Sequence, residues 1–167
     1  MKNIILCGFM GCGKTTLAKG LAKRLDMRLV DTDEEIVKRQ GMEISRIFAE
    51  KGEPFFRELE TELIKELSKK DNLIISLGGG LAANEKNHPF LKAAGTVILL
   101  DCGIAETLKR ISGDTSRPLA AGGKEDIIAR YNYRKPIYEE VADIIIDSSG
   151  GRARTLDLAL TAIEEMV

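Results

Sequence analysis

Residues 8 to 15, Gly8-Phe9-Met10-Gly11-Cys12-Gly13-Lys14-Thr15, follow the apolar run Ile4-Ile5-Leu6-Cys7 and match G-x-x-x-x-G-K-[ST] at every fixed position. An amphipathic stretch, Thr16 to Leu25, comes next. A strand, a glycine-rich turn and a helix in this order form a cradle for polyphosphate. Glycines let several backbone N–H groups turn inward on one anion, because no Cβ stands in the way. Lys14 supplies charge to the outer phosphates and Thr15 offers a hydroxyl to Mg²⁺. The helix opening at Lys14 points its positive dipole end at the same anion. Gly11, Cys12, Gly13, Lys14, Thr15 and Thr16 are therefore the expected nucleotide contacts.

With 167 residues the chain has room for one domain with a substantial core and too little for two ordinary ones, so a single domain over 1–167 is expected. There are 25 Lys and Arg against 26 Asp and Glu, a formal net charge of -1, which gives no electrostatic case for nucleic acid as a partner. The first strand begins almost at Met1, leaving no signal-peptide pattern, and no apolar run reaches the roughly 20 residues that span a bilayer. A cytoplasmic protein without a membrane partner is expected. The three cysteines, Cys7, Cys12 and Cys102, have neither C-x-x-C nor metal-ligand spacing, in keeping with a reducing compartment. Cys7 and Cys102 are expected on core strands. Cys12 sits at a helix N-terminus, where a thiol pKa can be lowered, and its simplest role is that of a small residue in a crowded loop.

Short apolar runs alternate with amphipathic helices, the pattern of a parallel sheet covered on both faces. Five strands are predicted: Asn3 to Cys7, Arg28 to Asp31, Leu73 to Leu77, Thr96 to Asp101 and Asp143 to Asp147. Between the second and third lies a mostly helical insertion, Asp33 to Lys70, broken at Gly41 and at Gly52-Glu53-Pro54 and ending in a charged helix from Phe55 to Lys69. The stretch Ser112 to Lys124, rich in Gly, Ser and Ala, reads as a loop. In such sheets ligands sit beyond the carboxyl ends of the strands. The residues there are Asp31-Thr32-Asp33, Gly78-Gly79-Gly80, Arg117-Pro118-Leu119 and, on the next helix, Arg134-Lys135-Pro136. Each has a plain structural reading as a cap, a turn or a solvated charge. Their joint placement at one sheet edge favours a binding site.

These motifs, with Phe56-Arg57-Glu58-Leu59-Glu60 and Arg134-Lys135-Pro136-Ile137-Tyr138, run over nearly the whole chain, and in this order and spacing the sequence resembles the shikimate kinase family. The resemblance implies a three-layer α/β/α sandwich similar to the nucleoside monophosphate kinases, a P-loop NTPase architecture. A substrate-binding region of about residues 33–61 and a lid of about 112–124 go with it. It implies transfer of the ATP γ-phosphoryl group to the 3-hydroxyl of shikimate, with Mg²⁺ as cofactor, on the route to chorismate and the aromatic amino acids; a monomer is expected, since no long exposed apolar stretch argues for an obligate dimer. Lys14, Asp33 and Arg117 become the catalytic set, with Asp33 orienting or deprotonating the hydroxyl. Arg57 and Arg134 hold the substrate carboxylate, while Gly78, Gly79 and Gly80 let the ring approach closely. Thr15 ligates the metal directly and Asp31 reaches it through water. Arg110 comes near the adenine, and Arg152 contacts nucleotide, with Arg154 a substitute. Glu60 orients Arg57 or forms a plain surface pair. The single histidine, His88, precedes Pro89 and is expected in a polar turn outside catalysis. The chain departs from the family pattern at Cys12, where serine is common, at Thr15 and at Ala120. Two other functions fit the first motif: a gluconate-type kinase, and a nucleotide-binding module without transferase activity.

Overall fold

The run Asn3–Gly8 is buried along its whole length, as a strand covered on both faces must be. In the computed structural model, which describes residues 1–112 and 123–167, this strand, β1, is the centre of a five-stranded parallel sheet of order β2-β3-β1-β4-β5. The other strands are β2 (Arg28–Asp31), β3 (Leu73–Ser76), β4 (Gly95–Asp101) and β5 (Ile144–Asp147). All five agree with the expected strands to within a residue at either end. Register sets Asp31 beside Ser76, Leu6 beside Ser76, Gly8 beside Leu100 and Asp101 beside Asp147, so every strand ends at the same edge.

The helices are α1 (Lys14–Leu25), α2 (Thr32–Gln40), α3 (Ile44–Lys51), α4 (Glu53–Leu67), α5 (Gly79–Ala82), α6 (His88–Ala94), α7 (Ile104–Ser112), α8 (Lys124–Val141) and α9 (Arg152–Met166). Side chains alternate across the sheet with the period of two that a strand imposes. Ile5, Cys7, Ile75, Val97 and Leu99 pack on one face with Leu63 and Ile64 of α4, Leu91 of α6 and Tyr138 of α8. Ile4, Leu6, Ile74, Ile98 and Leu100 pack on the other with Leu17 and Leu21 of α1 and Ala159 and Ile163 of α9. The result is the three-layer α/β/α architecture expected. Among the described residues no helix is long and apolar enough to cross a membrane.

The helical insertion divides where its breakers stand. Gly41 ends α2 in the left-handed conformation at φ 67°, and Pro54 opens α4. Three local expectations need correction. The charged helix begins at Glu53, because the proline that suggested a break occupies the first turn, where its missing N–H costs nothing. His88 opens α6 rather than standing in a turn, and its Nε2 lies 2.8 Å from the carbonyl of Ala82. Cys102 lies one residue beyond β4, buried, with its Sγ 3.2 Å from Thr107 Oγ1.

Candidate active site

At the end of β1 the chain turns through Gly8 to Gly13, and Gly13 takes φ 98° as the N-cap of α1, a conformation that a side chain would strain. Lys14 Nζ donates to the carbonyls of Gly8 at 2.6 Å and Phe9 at 3.2 Å and lies 3.6 Å from Cys12 Sγ. Arg110 ties the loop from the other side. Its Nη1 donates to Gly11 O at 3.1 Å, its Nη2 to Ser148 O at 2.8 Å, and its Nε pairs with Glu106 of its own helix. Thr15 and Thr16 are exposed on the first turn of α1.

An open cavity of about 960 Å³ runs from this loop to the ends of β2 and β3. It is lined by Gly11, Cys12, Gly13, Lys14, Thr15, Thr16, Arg110 and Arg152 at one end and by Asp31, Asp33, Gly78, Gly79, Gly80 and Arg134 at the other. Of the two arginines left open near the start of α9, Arg152 is the one on the cavity wall. Met10, at a variable position of the glycine-rich motif, also lines it, as do Ser76 and Ser148, for which sequence patterns give no signal. Arg117, with Pro118, Ala120 and most of the expected lid, lies outside the described residues.

The acceptor end is built on the glycine turn. Gly78 caps the short α5 that starts at Gly79, so the expected turn is in part a helix. A Cβ on Gly78 would stand 2.5 Å from Asp33 Oδ1, one on Gly79 would stand 3.1 Å from Arg134 Nη1, and one on Gly80 would overlap the Arg57 guanidinium. Each glycine thus allows close approach of a different side chain, Asp33, Arg134 or Arg57. Arg57 itself is not on the wall of the main cavity, but reaches it through this contact with Gly80.

Arg57 is held from two sides. Its Nη1 donates to Glu60 Oε1 at 2.6 Å, and its Nη2 to Glu53 Oε1 at 3.1 Å. Glu60 is only 1% exposed, and its Oε2 has no hydrogen-bond partner among the described residues. Of the two readings of Glu60, as the partner that orients Arg57 or as a plain surface pair, its burial rules out the second. Burial pushes the Glu60 carboxyl up to about 7 against the pull of Arg57. Asp33 is also raised, first by burial and then by neighbouring Asp31, with Lys14 and Arg57 opposing. Two residues of the D-T-D motif hold local structure. Asp31 Oδ1 accepts from the amides of Asp33 and Glu34 and caps α2, and Thr32 Oγ1 accepts from Gly78 N at 2.9 Å.

A Mg²⁺ ion takes one or two protein oxygens and fills its shell with phosphate and water. The Thr15 hydroxyl and the Asp31 Oδ2 left over from capping fit that pattern, both on the cavity wall. Among the described residues no group of three or more His, Cys, Asp or Glu could hold an ion without phosphate.

A family model described as shikimate kinase matches residues 10–164. The chain belongs to the shikimate kinase family. A curated shikimate kinase from Persephonella marina is 45% identical over 150 residues, spanning 90% of this chain and 91% of its own. Among solved structures, the shikimate kinase from Aquifex aeolicus superposes with a TM-score of 0.87 at 38% identity, covering 97% of this chain and 96% of its own. That from Acinetobacter baumannii, in complex with shikimate, gives 0.88 at 34%, covering 99% and 93%. The shikimate kinase resemblance of the D-T-D, F-R-x-x-E and G-G-G motifs is thus borne out.

Proposed function

We propose that the protein transfers the γ-phosphoryl group of ATP to the 3-hydroxyl of shikimate, yielding shikimate 3-phosphate for aromatic amino acid synthesis. The observation that carries this reading is the glycine turn, which rests Asp33, Arg134 and Arg57 on three successive residues at the far end of the phosphate-binding cavity. Shikimate is a carboxylated ring with vicinal hydroxyls, so it needs paired cations and one acceptor. Arg57 and Arg134 take the carboxylate by bidentate contacts. Asp33 accepts from the ring hydroxyls, and its raised pKa suits it to take a proton from the nucleophilic one.

Phosphoryl transfer asks for alignment and for positive charge around the moving group. Lys14 leaves the carbonyls of Gly8 and Phe9 for the outer phosphates, and Arg117 adds a second cation. Mg²⁺, held through Thr15 and Asp31, supplies further charge neutralisation when bound. Arg110 and Arg152 border the nucleotide end. We take the protein to act as a monomer in the cytoplasm, where ATP is at hand, in keeping with its three free cysteines.

ADP release coupled to an NADH signal, with and without shikimate, tests the function. Shikimate-dependent release is expected. ADP release that gluconate stimulates and shikimate does not would replace this reading with the gluconate-type kinase, and binding of ATP without any turnover would leave a nucleotide-binding module.

A further inference from the structure

Arg57 and Arg134 approach the same carboxylate from different helices, α4 and α8, and their like charges repel. Something must fix the distance between them. The polar contacts beneath the glycine turn supply it. On α8, Tyr138 is one helical turn after Arg134 and thus on the same face. It is 2% exposed, and its hydroxyl donates to Gly79 O at 2.6 Å. On α4, Thr61 stands one turn after Arg57. Its hydroxyl donates to Asn87 Oδ1 at 2.7 Å, and Asn87 Nδ2 donates to Leu81 O at 3.0 Å. Both helices are therefore fastened to the same short segment, Gly79 to Leu81, each by the residue four positions beyond its arginine.

We propose that Tyr138 is a positioning residue for the acceptor site, with Thr61 and Asn87 as its counterpart on the opposite side. The inference rests on shikimate as the acceptor. Tyr138 acts through the Gly79 carbonyl. It sets how far α8 stands from the turn, and hence where the Arg134 guanidinium meets the carboxylate that Arg57 holds across Gly80. The bond is well suited to a fixed spacing: burial pushes the phenol up to about 12, so it stays a donor throughout the working pH range. Tyr138 is buried and spends its hydroxyl proton on the Gly79 carbonyl, so it acts on the site through that bond.

Tyr138→Phe keeps the ring and removes only the donor, and Thr61→Val does the same on the other side. Steady-state kinetics with each substrate varied in turn should give a KM for shikimate raised about 2- to 10-fold in each variant, the scale of one net hydrogen bond. The KM for ATP, and kcat at saturating shikimate, should stay within about twofold of wild type. A fold role alone would instead move both KM values or lower the thermal midpoint with no preference for shikimate. Equal rises for both substrates, or an unchanged shikimate KM in both folded variants, overturn the proposal. Should Tyr138→Phe fail to fold, Thr61→Val decides by the same criterion. A wild-type protein that does not phosphorylate shikimate overturns the function and this inference together, whereas an active wild type with an unchanged shikimate KM in both variants overturns the positioning role alone.

Discussion

Glu60 makes a quantitative prediction, because its two oxygens are treated unequally in the fold. Oε1 takes the Arg57 Nη1 hydrogen bond at 2.6 Å, while Oε2 is buried without a partner among the described residues. Desolvation of the charged form outweighs the arginine, and the carboxyl is held up to about 7 instead of the ordinary 4.5. A carboxyl whose pKa is raised by folding binds its proton more tightly in the native state. Its contribution to stability is complete below the unfolded value and is lost as pH rises through the folded one. Between about pH 5 and pH 8 that loss comes to roughly 2 to 3 kcal/mol, or about 5 to 10 °C in Tm for a chain of this size. Glu60→Gln keeps the shape and cannot ionise, while every other titrating group is shared with wild type. The difference in unfolding free energy between the two proteins, by urea or heat, should therefore move in favour of the variant by that amount as pH rises. A difference that stays constant to within about 0.5 kcal/mol from pH 5 to pH 8 would refute the argument, since it would mean that Glu60 titrates at its ordinary value.

Lys14→Ala should abolish nearly all phosphoryl transfer while circular dichroism stays unchanged, and near wild-type turnover would sink the phosphate-binding role of the loop. Arg57→Ala and Arg134→Ala should each weaken shikimate binding by about 10- to 100-fold, the scale of 1.5–3 kcal/mol for a hydrogen bond to a charged group, with ATP affinity spared; calorimetry with each ligand would expose equal losses. Gly80→Ala should cost shikimate affinity with little effect on ATP, because the new methyl must displace the Arg57 guanidinium; unchanged shikimate binding would show that the arginine does not act from this position.

β1, β3 and β4 were legible because a doubly covered parallel strand is a continuous apolar run, whereas β2 has only Val30 buried; β1 and β2 end at residues with an evident role, Gly8 opening the glycine-rich loop and Asp31 capping α2. The residues that line the cavity at the strand ends were legible for a related reason. A cluster such as Asp31-Thr32-Asp33 or Gly78-Gly79-Gly80 at a strand end cannot be explained by propensity, so its position invites a chemical account. His88 misled because Pro89 suits both a turn and the first turn of a helix, and only the packing of α6 distinguishes them.

What the sequence left open depends on packing: Glu60 could be read as the partner that orients Arg57 or as a surface pair, and the anchors Tyr138 and Thr61 could not be read at all. Glu60 sits at i+3 from Arg57, and that spacing suits an exposed pair and a buried one equally. It is 1% exposed, and only burial turns a weak surface contact into an ionisation held near neutrality. Tyr138 is 59 residues from the carbonyl it holds, and Thr61 is 26 from Asn87. The repeated i+4 spacing from each arginine to its anchor was present in the chain, but a spacing identifies a shared face, never what that face meets. The proposed substrate contacts belong to sheet-edge geometry, which the order of strands determines. The anchors behind them belong to side-chain packing, which has to be seen in three dimensions, and this is why the first set was readable and the second was not.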